Sequence, residues 1–475
     1  IGKFGGDTDN WIWPRHTGDF SMFRVYASKD NRPAAYSPQN VPYRPKKHFS
    51  ISTKGVKEGD FTMIYGFPGN TQEYILSDAV AYIAERSDPA KIAVRTGRLD
   101  IITKAQESDP ALRIHYAAKH ASIANAWKKW QGEALGIDRR GTVAAKFDYE
   151  TQFGLWSVGR PEYAGVVMGL RAEYDRIMDA YFAYEITRET LSTLPAAYTP
   201  EERSEECFAR RKFAEQALWR HAFREYGRCP KVYRTPSYAE GMARYKSPEA
   251  YADALFEAVW EGSDSVAMQP AVRLREETKR MLDHISWMLG TKSLRNLNSK
   301  ILNELYTTYI KGLREWDRER AFYPDANLTL RVAYGSVAGY EYADGEYHKP
   351  QTTLDGIIAK DNPEIYDYDI PQSLRDLYAS KNYGRWGTVI DGRRTVPVCF
   401  LATNHTTGGN SGSPVLNAGG ELIGINFDRT WRSTMSDIAF DPAICRNIAV
   451  DIRYVLFVVD RVGGAGYLLK EMTLK

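Results

Sequence analysis

The chain has 475 residues and a formal net charge of +3, from 63 basic and 60 acidic side chains. That near balance carries no electrostatic signature of a nucleic-acid or membrane-surface partner. With 43% hydrophobic and 26% charged residues, the composition is that of a soluble globular protein, long enough for two or more domains.

The opening run, Ile1-Gly-Lys-Phe-Gly-Gly6, has no signal-peptide pattern and reads as the middle of a domain. An N-terminal part is expected to precede it. Residues 1–71 are rich in Gly, Pro and short β-type runs. Phe20 to Tyr26 and Phe61 to Tyr65 are predicted strands, and Gly66-Phe-Pro-Gly69 punctuates the end of the stretch. Residues 72–326 read as helices. Tyr174, Ile177, Met178, Tyr181 and Tyr184 recur at helical spacing, as do Tyr251, Leu255 and Val259. So do Leu274, Met281, Ile285 and Met288, then Leu302, Leu305 and Tyr309. These stripes read as core, and Gly290 as a helix terminator. From 327 the β pattern returns: Leu328, Leu330 and Val332 alternate with Thr329 and Arg331. Val396 to Ala402, Leu422 to Phe427 and Ile448 to Val459 are further predicted strands. No apolar run reaches the roughly 20 residues of a membrane helix. The predicted architecture is a β domain, 1–71 and 327–475, interrupted by a helical insertion, 72–326.

Cys207, Cys229, Cys399 and Cys445 show no zinc-type spacing. Cys207 and Cys229 either pair across a helical hairpin or remain free buried thiols.

The densest chemistry lies in Thr407-Gly-Gly-Asn-Ser-Gly-Ser-Pro414. Glycines let the backbone turn tightly and aim its amides at one spot. Two such amides can hold an oxyanion, and a serine in the same turn can attack the carbonyl bound there. The alternative is a glycine-rich turn with no chemistry. An α/β-hydrolase elbow is excluded, because Ser413 stands where that pattern needs glycine.

The octapeptide resembles the Gly-Asp/Asn-Ser-Gly-Gly/Ser-Pro stretch of chymotrypsin-like peptidases. That resemblance makes Ser411 the nucleophile, and the N–H groups of Gly409 and Ser411 its oxyanion hole. Asn410 has no charge to pair with a new N-terminus, so Ile1 is not read as an activation terminus. Two more segments, Gly5-Gly-Asp-Thr-Asp-Asn-Trp-Ile-Trp-Pro-Arg-His-Thr-Gly-Asp-Phe20 and Ile425-Asn-Phe-Asp-Arg429, sharpen the match. With Val450-Asp-Ile-Arg-Tyr454 and Gly463-Gly-Ala-Gly466, they resemble the bacterial dipeptidyl-peptidase 7/11 family over the whole chain.

The resemblance implies a β-plus-α fold, a chymotrypsin-like double β-barrel with an all-helical insertion that caps the cleft. It implies a His, Asp, Ser triad in which Asp19 orients the histidine. On its own, Asp19 also reads as an ordinary turn residue. His16, His48, His115, His120, His221, His284, His348 and His405 do not fit the triad role, so the triad histidine is expected to lie outside this chain, which alone would be inactive. For the substrate's free amine the resemblance implies Asn10, Trp11 and Asp428, with Asn125 from the insertion. Asn125 reads equally as a polar residue on a helix face. Arg429 follows Asp428. In the family, Arg there accompanies cleavage after Asp or Glu, and Gly accompanies apolar preference. A guanidinium can hold a carboxylate bidentately. The local alternative is an ion pair with a neighbouring acid.

The implied function is a serine exopeptidase releasing N-terminal dipeptides with an acidic second residue. The competing readings are the same fold with broad or apolar preference, and a non-catalytic peptide-binding fragment. The family implies peptide substrates with a free N-terminus, no metal or organic cofactor, a tendency to dimerise, and a periplasmic or cell-surface location in a Gram-negative bacterium.

Overall fold

The computed structural model describes residues 6, 8–17, 20–262, 265–290 and 297–475. It divides into two compact units: Ile1–Glu73 with Asp325–Lys475, and Tyr74–Pro324. The first is built on strands and the second on helices.

Among the described residues the first unit carries β1 (Tyr26–Ala27), β2 (Val41–Pro42), β3 (Phe61–Gly66), β4 (Arg331–Ser336), β5 (Tyr340–Ala343), β6 (Glu346–His348), β7 (Gln351–Thr353), β8 (Thr388–Ile390), β9 (Arg393–Thr395), β10 (Pro397–Ala402), β11 (Ser413–Leu416), β12 (Leu422–Arg429) and β13 (Asn447–Asp451). The main sheet has the order β4-β3-β11-β12-β13-β10-β7, and every neighbouring pair is antiparallel. The pairs β1-β2, β5-β6 and β8-β9 form separate ribbons. Strands β10 and β13 are buried along their whole length. That explains why their sequences are apolar runs rather than alternations. Successive residues still serve opposite faces. Phe400 and Ala449 join Val56, Ile64, Val415 and Ile423 in one cluster. Cys399, Leu401, Ile448 and Val450 join Leu354, Ile357 and Phe457 in another.

Three predicted strands change. The one expected over Ile448 to Val459 stops at Asp451. The Asp451 carboxylate accepts the Arg453 N–H and so caps a helix, Ile452–Phe457, which continues as a π-helical turn, Val458–Val462. Every residue of that helix is buried. Apart from Arg453 its residues are hydrophobic, and periodicity cannot separate helix from strand in so fully buried a run. The strand expected over Phe20 to Tyr26 shrinks to β1, because Phe23 and Val25 are exposed and their alternation buries nothing. The strand expected over Leu328 to Val332 begins at Arg331 instead. Leu328 has φ +67°, a left-handed backbone outside the β region.

The second unit contains long helices: Asp88–Ser108, Pro110–Arg139, Val166–Glu189, Lys212–Tyr226, Pro248–Glu261, Gln269–Met288 and Lys300–Trp316. Asp109, Ser247 and Ser299 each accept an N–H from the first turn that follows them. Pro110 and Pro248 open their helices where a missing N–H costs nothing. Of the predicted stripes, Tyr174, Ile177, Tyr181, Tyr251, Leu255, Val259, Leu274, Ile285, Leu302 and Tyr309 are buried, while Met178, Tyr184, Met281, Met288 and Leu305 are half-buried. Gly290 follows Gln269–Met288 at φ +65°, the left-handed exit that ends many helices. All four cysteines are free and buried. No described helix is long and apolar enough to cross a membrane.

Asp451 holds Arg453 with two charge-assisted bonds, to Nε at 2.9 Å and to Nη2 at 2.6 Å, and both residues are buried. Asp451→Ala removes the helix cap and leaves a buried guanidinium unpaired. The expected cost is about 3–5 kcal/mol, read as a lower midpoint in urea unfolding of the purified protein.

Candidate active site

Ser411 stands in the turn that leads into β11. The turn is closed from within. Asn410 N–H donates to Thr407 O and Ser413 N–H donates to Asn410 O, each at 3.0 Å. The Asn410 side chain folds back to accept the Thr407 N–H at 3.1 Å. Gly69 N–H donates to Gly408 O at 2.6 Å, which ties the turn to the segment after β3. Gly409 has φ +104°, and a Cβ there would lie 2.3 Å from Phe67 O. Glycine is therefore required by both backbone angle and space.

The Ser411 side chain is exposed, and its Oγ donates to Phe427 O at 3.2 Å. Gly412 N–H donates to Asn426 O at 2.8 Å. These two bonds hook the serine onto β12 immediately before Asp428. Among the described residues, the N–H groups of Gly409 and Ser411 donate to no acceptor. Two uncommitted amides beside an exposed hydroxyl are the arrangement an oxyanion hole requires.

Asp428 and Arg429 end β12. The Asp428 side chain is buried and accepts from several donors. Its Oδ2 accepts the Trp11 N–H and Arg15 Nη1, both at 2.9 Å, and its Oδ1 accepts the Arg429 N–H at 2.8 Å. Burial pushes its pKa up, and the Arg15 charge pulls against that shift. Trp11 is fixed at both ends of its peptide, since its C=O accepts the Trp431 N–H at 2.8 Å. It adopts φ +68°, a conformation few non-glycine residues hold without such pinning. Asn10 is half-buried on the same segment.

Arg429 is buried, and its guanidinium meets the Asp437 carboxylate as a fork, Nη1–Oδ1 at 2.6 Å and Nη2–Oδ2 at 2.8 Å. Nη1 also donates to Ser436 Oγ at 2.8 Å and Thr406 O at 3.2 Å. The Trp11 ring lies 5.6 Å from the guanidinium carbon. The local ion pair left open by the sequence is thus present.

The structure brings together Ser411, Gly409, Asn10, Trp11, Asp428 and Arg429 around the end of β12. Asp19 lies outside the described residues. Its described neighbours are held: Thr17 O accepts Cys399 Sγ at 3.3 Å, and Phe20 packs on the core. Asn125 is exposed on helix Pro110–Arg139 of the other unit. In the β unit, His405 Nε2 bonds Ser436 O at 2.9 Å, and its ring stacks on Phe440. Burial lowers its pKa. His16 falls to about 4 through burial and the Lys360 charge. His48 bonds Thr473, and His348 bonds Tyr340 and Glu346. None of these contacts is to Ser411.

The sequence reading missed Arg15 and Asp437, the charge partners of Asp428 and Arg429. Arg15 stands in the quoted Trp-Pro-Arg run, but no spacing signal connects residues 413 positions apart. A cluster of potential metal ligands, His115, Glu205 and Cys207, occurs in the helical unit. The Arg211 guanidinium already sits there, 3.1 Å from the Glu205 carboxylate, so a cation is in place without a metal.

Comparison with known proteins gives a coherent picture. Residues 1–206 and 201–474 match the family model described as Peptidase S46. An Asp/Glu-specific dipeptidyl-peptidase of Capnocytophaga gingivalis is 41% identical, over 100% of this chain and 72% of its own length. A dipeptidyl-peptidase 7 of Phocaeicola vulgatus is 34% identical, over 100% of this chain and 71% of its own. The crystal structure of Porphyromonas endodontalis DPP11 in complex with the dipeptide Arg-Glu superposes with a TM-score of 0.84 at 33% identity, covering 100% of this chain and 73% of that one.

Gly409→Ala is expected to lower stability by about 1–3 kcal/mol, from the strained φ and the collision with Phe67 O. Thermal unfolding measures this, and an unchanged midpoint would contradict the turn geometry.

Proposed function

Because the chain belongs to the peptidase S46 family, we propose that it is a serine exopeptidase that removes dipeptides from free peptide N-termini, with Asp or Glu as the second residue. The observation that carries this reading is the bond from Ser411 Oγ to Phe427 O. It places a glycine-framed hydroxyl one residue from the Asp428–Arg429 pair. The names of the relatives supply the substrate class.

In this reading Ser411 Oγ attacks the carbonyl carbon of the second residue. The Gly409 and Ser411 N–H groups take the charge that develops on its oxygen. The hydroxyl proton passes to a histidine that is not among the eight here, oriented by Asp19, and then to the leaving amine. Water releases the dipeptide from the acyl-enzyme. Asp428, with Asn10 and Trp11, takes the substrate ammonium, which fixes the cut two residues in. Asn125 keeps a place in that subsite by resemblance alone. Arg429 reads the carboxylate of the second residue. No step calls for a metal or an organic cofactor. The β unit is taken as chymotrypsin-like, and the protein as periplasmic or on the surface of a Gram-negative cell, where released dipeptides serve as nutrients.

One observation favours a broader second-residue preference. Asp437 already neutralises Arg429, so a substrate carboxylate must share or displace that partner. Paired fluorogenic reporters decide the matter. Arg429→Gly is expected to cut kcat/KM on a Leu-Glu amide by about 10- to 100-fold, the worth of lost charge-assisted bonds, while sparing a Leu-Leu amide. Equal loss on both would remove Arg429 from the substrate pocket. Ser411→Ala in the full-length protein is expected to abolish fluorophosphonate labelling and to lower kcat/KM by several powers of ten.

A further inference from the structure

We propose that Arg15 is a positioning residue of the amine subsite, holding the Asn10–Trp11 segment and the Asp428 carboxylate in one arrangement. The inference rests on the proposed assignment of Asn10, Trp11 and Asp428 to the substrate ammonium.

Arg15 is only 6% exposed, and its head group reaches three separate pieces of the site. Nη1 bonds Asp428 Oδ2 at 2.9 Å. The same nitrogen donates to Asp9 O, at the start of the segment that carries Asn10 and Trp11. Nε donates to Thr17 Oγ1, at the segment's far end. The guanidinium carbon also lies 4.9 Å from the centre of the Phe427 ring, on β12. One rigid fork therefore spans both ends of residues 9–17 and clamps them to the strand that ends in Asp428.

Neighbouring contacts make the clamp two-sided. Asp9 is buried, and its carboxylate is held by Lys360 Nζ at 2.8 Å and Tyr368 OH at 2.9 Å. Arg15 O accepts the Thr352 hydroxyl at 2.6 Å. The Arg15 backbone is thus fixed to β7 while its side chain fixes the loop. Lysine, a single point charge, cannot replace a planar group that bonds in three directions.

A positioning role separates binding from chemistry. Arg15 touches neither Ser411 nor the oxyanion amides, so its loss should weaken capture of the free amine and leave bond cleavage at saturation largely intact. The experiment is steady-state kinetics of the full-length enzyme on a Leu-Glu amide, with Arg15→Gln, Arg15→Lys and Asp428→Asn beside the parent. Arg15→Gln is expected to raise KM by about tenfold or more with kcat within about threefold. Arg15→Lys, which keeps the charge and is the safer variant for folding, is expected to fall between. The ratio of Leu-Glu to Leu-Leu hydrolysis should stay constant, because Arg429 is untouched. A folded Arg15→Lys protein with the parent's KM overturns the proposal, as does a fall in kcat alone. Asp428→Asn and an Nα-acetylated reporter test the reading beneath it. If the parent cleaves the acetylated reporter as well as the free one, the amine subsite itself is wrong and Arg15 falls with it. If acetylation blocks cleavage and Asp428→Asn raises KM while Arg15→Lys does not, only the Arg15 assignment fails.

Discussion

The Asp428 carboxylate is the point on which the site turns. A buried carboxylate is costly unless its charge is answered and its oxygens are bonded. Here an arginine answers the charge, and the backbone N–H groups of Trp11 and Arg429 occupy further positions. Satisfying that one group forces residues 9–17 against the end of β12 and twists Trp11 into a left-handed backbone. The same strand receives the Ser411 hydroxyl one residue earlier. The glycine-framed hydroxyl and the buried carboxylate thus meet on a single strand.

Two arginines flank this carboxylate with different partners. Arg15 is neutralised by Asp428, and Arg429 by Asp437. Both guanidiniums are buried, so each needs a carboxylate to remain charged at low cost. For Arg429 that partner creates competition. In the proposed reading, a second-residue carboxylate reaches this cation only by sharing it with Asp437. On that proposal, the contrast between acidic and apolar substrates depends on how tightly Asp437 is held, and not only on the presence of arginine.

The helical unit has a different logic. Its stripes of Tyr, Leu and Ile pack inward, and Asp109, Ser247 and Ser299 close helix starts. Nothing in those local rules singles out Asn125 from the polar residues around it. It stands exposed on a long helix, and the role proposed for it rests on family resemblance alone.

The sequence by itself determined the features that depend on local backbone chemistry. The glycine frame around Ser411 is legible because left-handed angles and close approach admit only glycine, and Gly409 has both. Strands Phe61–Gly66 and Leu422–Arg429 and the helical stripes are legible because period sets which side chains share a face. Tertiary structure alone decided which distant charges meet. The Arg15–Asp428 bond spans 413 positions, and electrostatic pairing leaves no periodic trace in a chain. It also decided that the apolar run after Asp451 coils into a helix. Full burial removes the polar face that would have marked the period, and only the surrounding core sets which backbone fills that space.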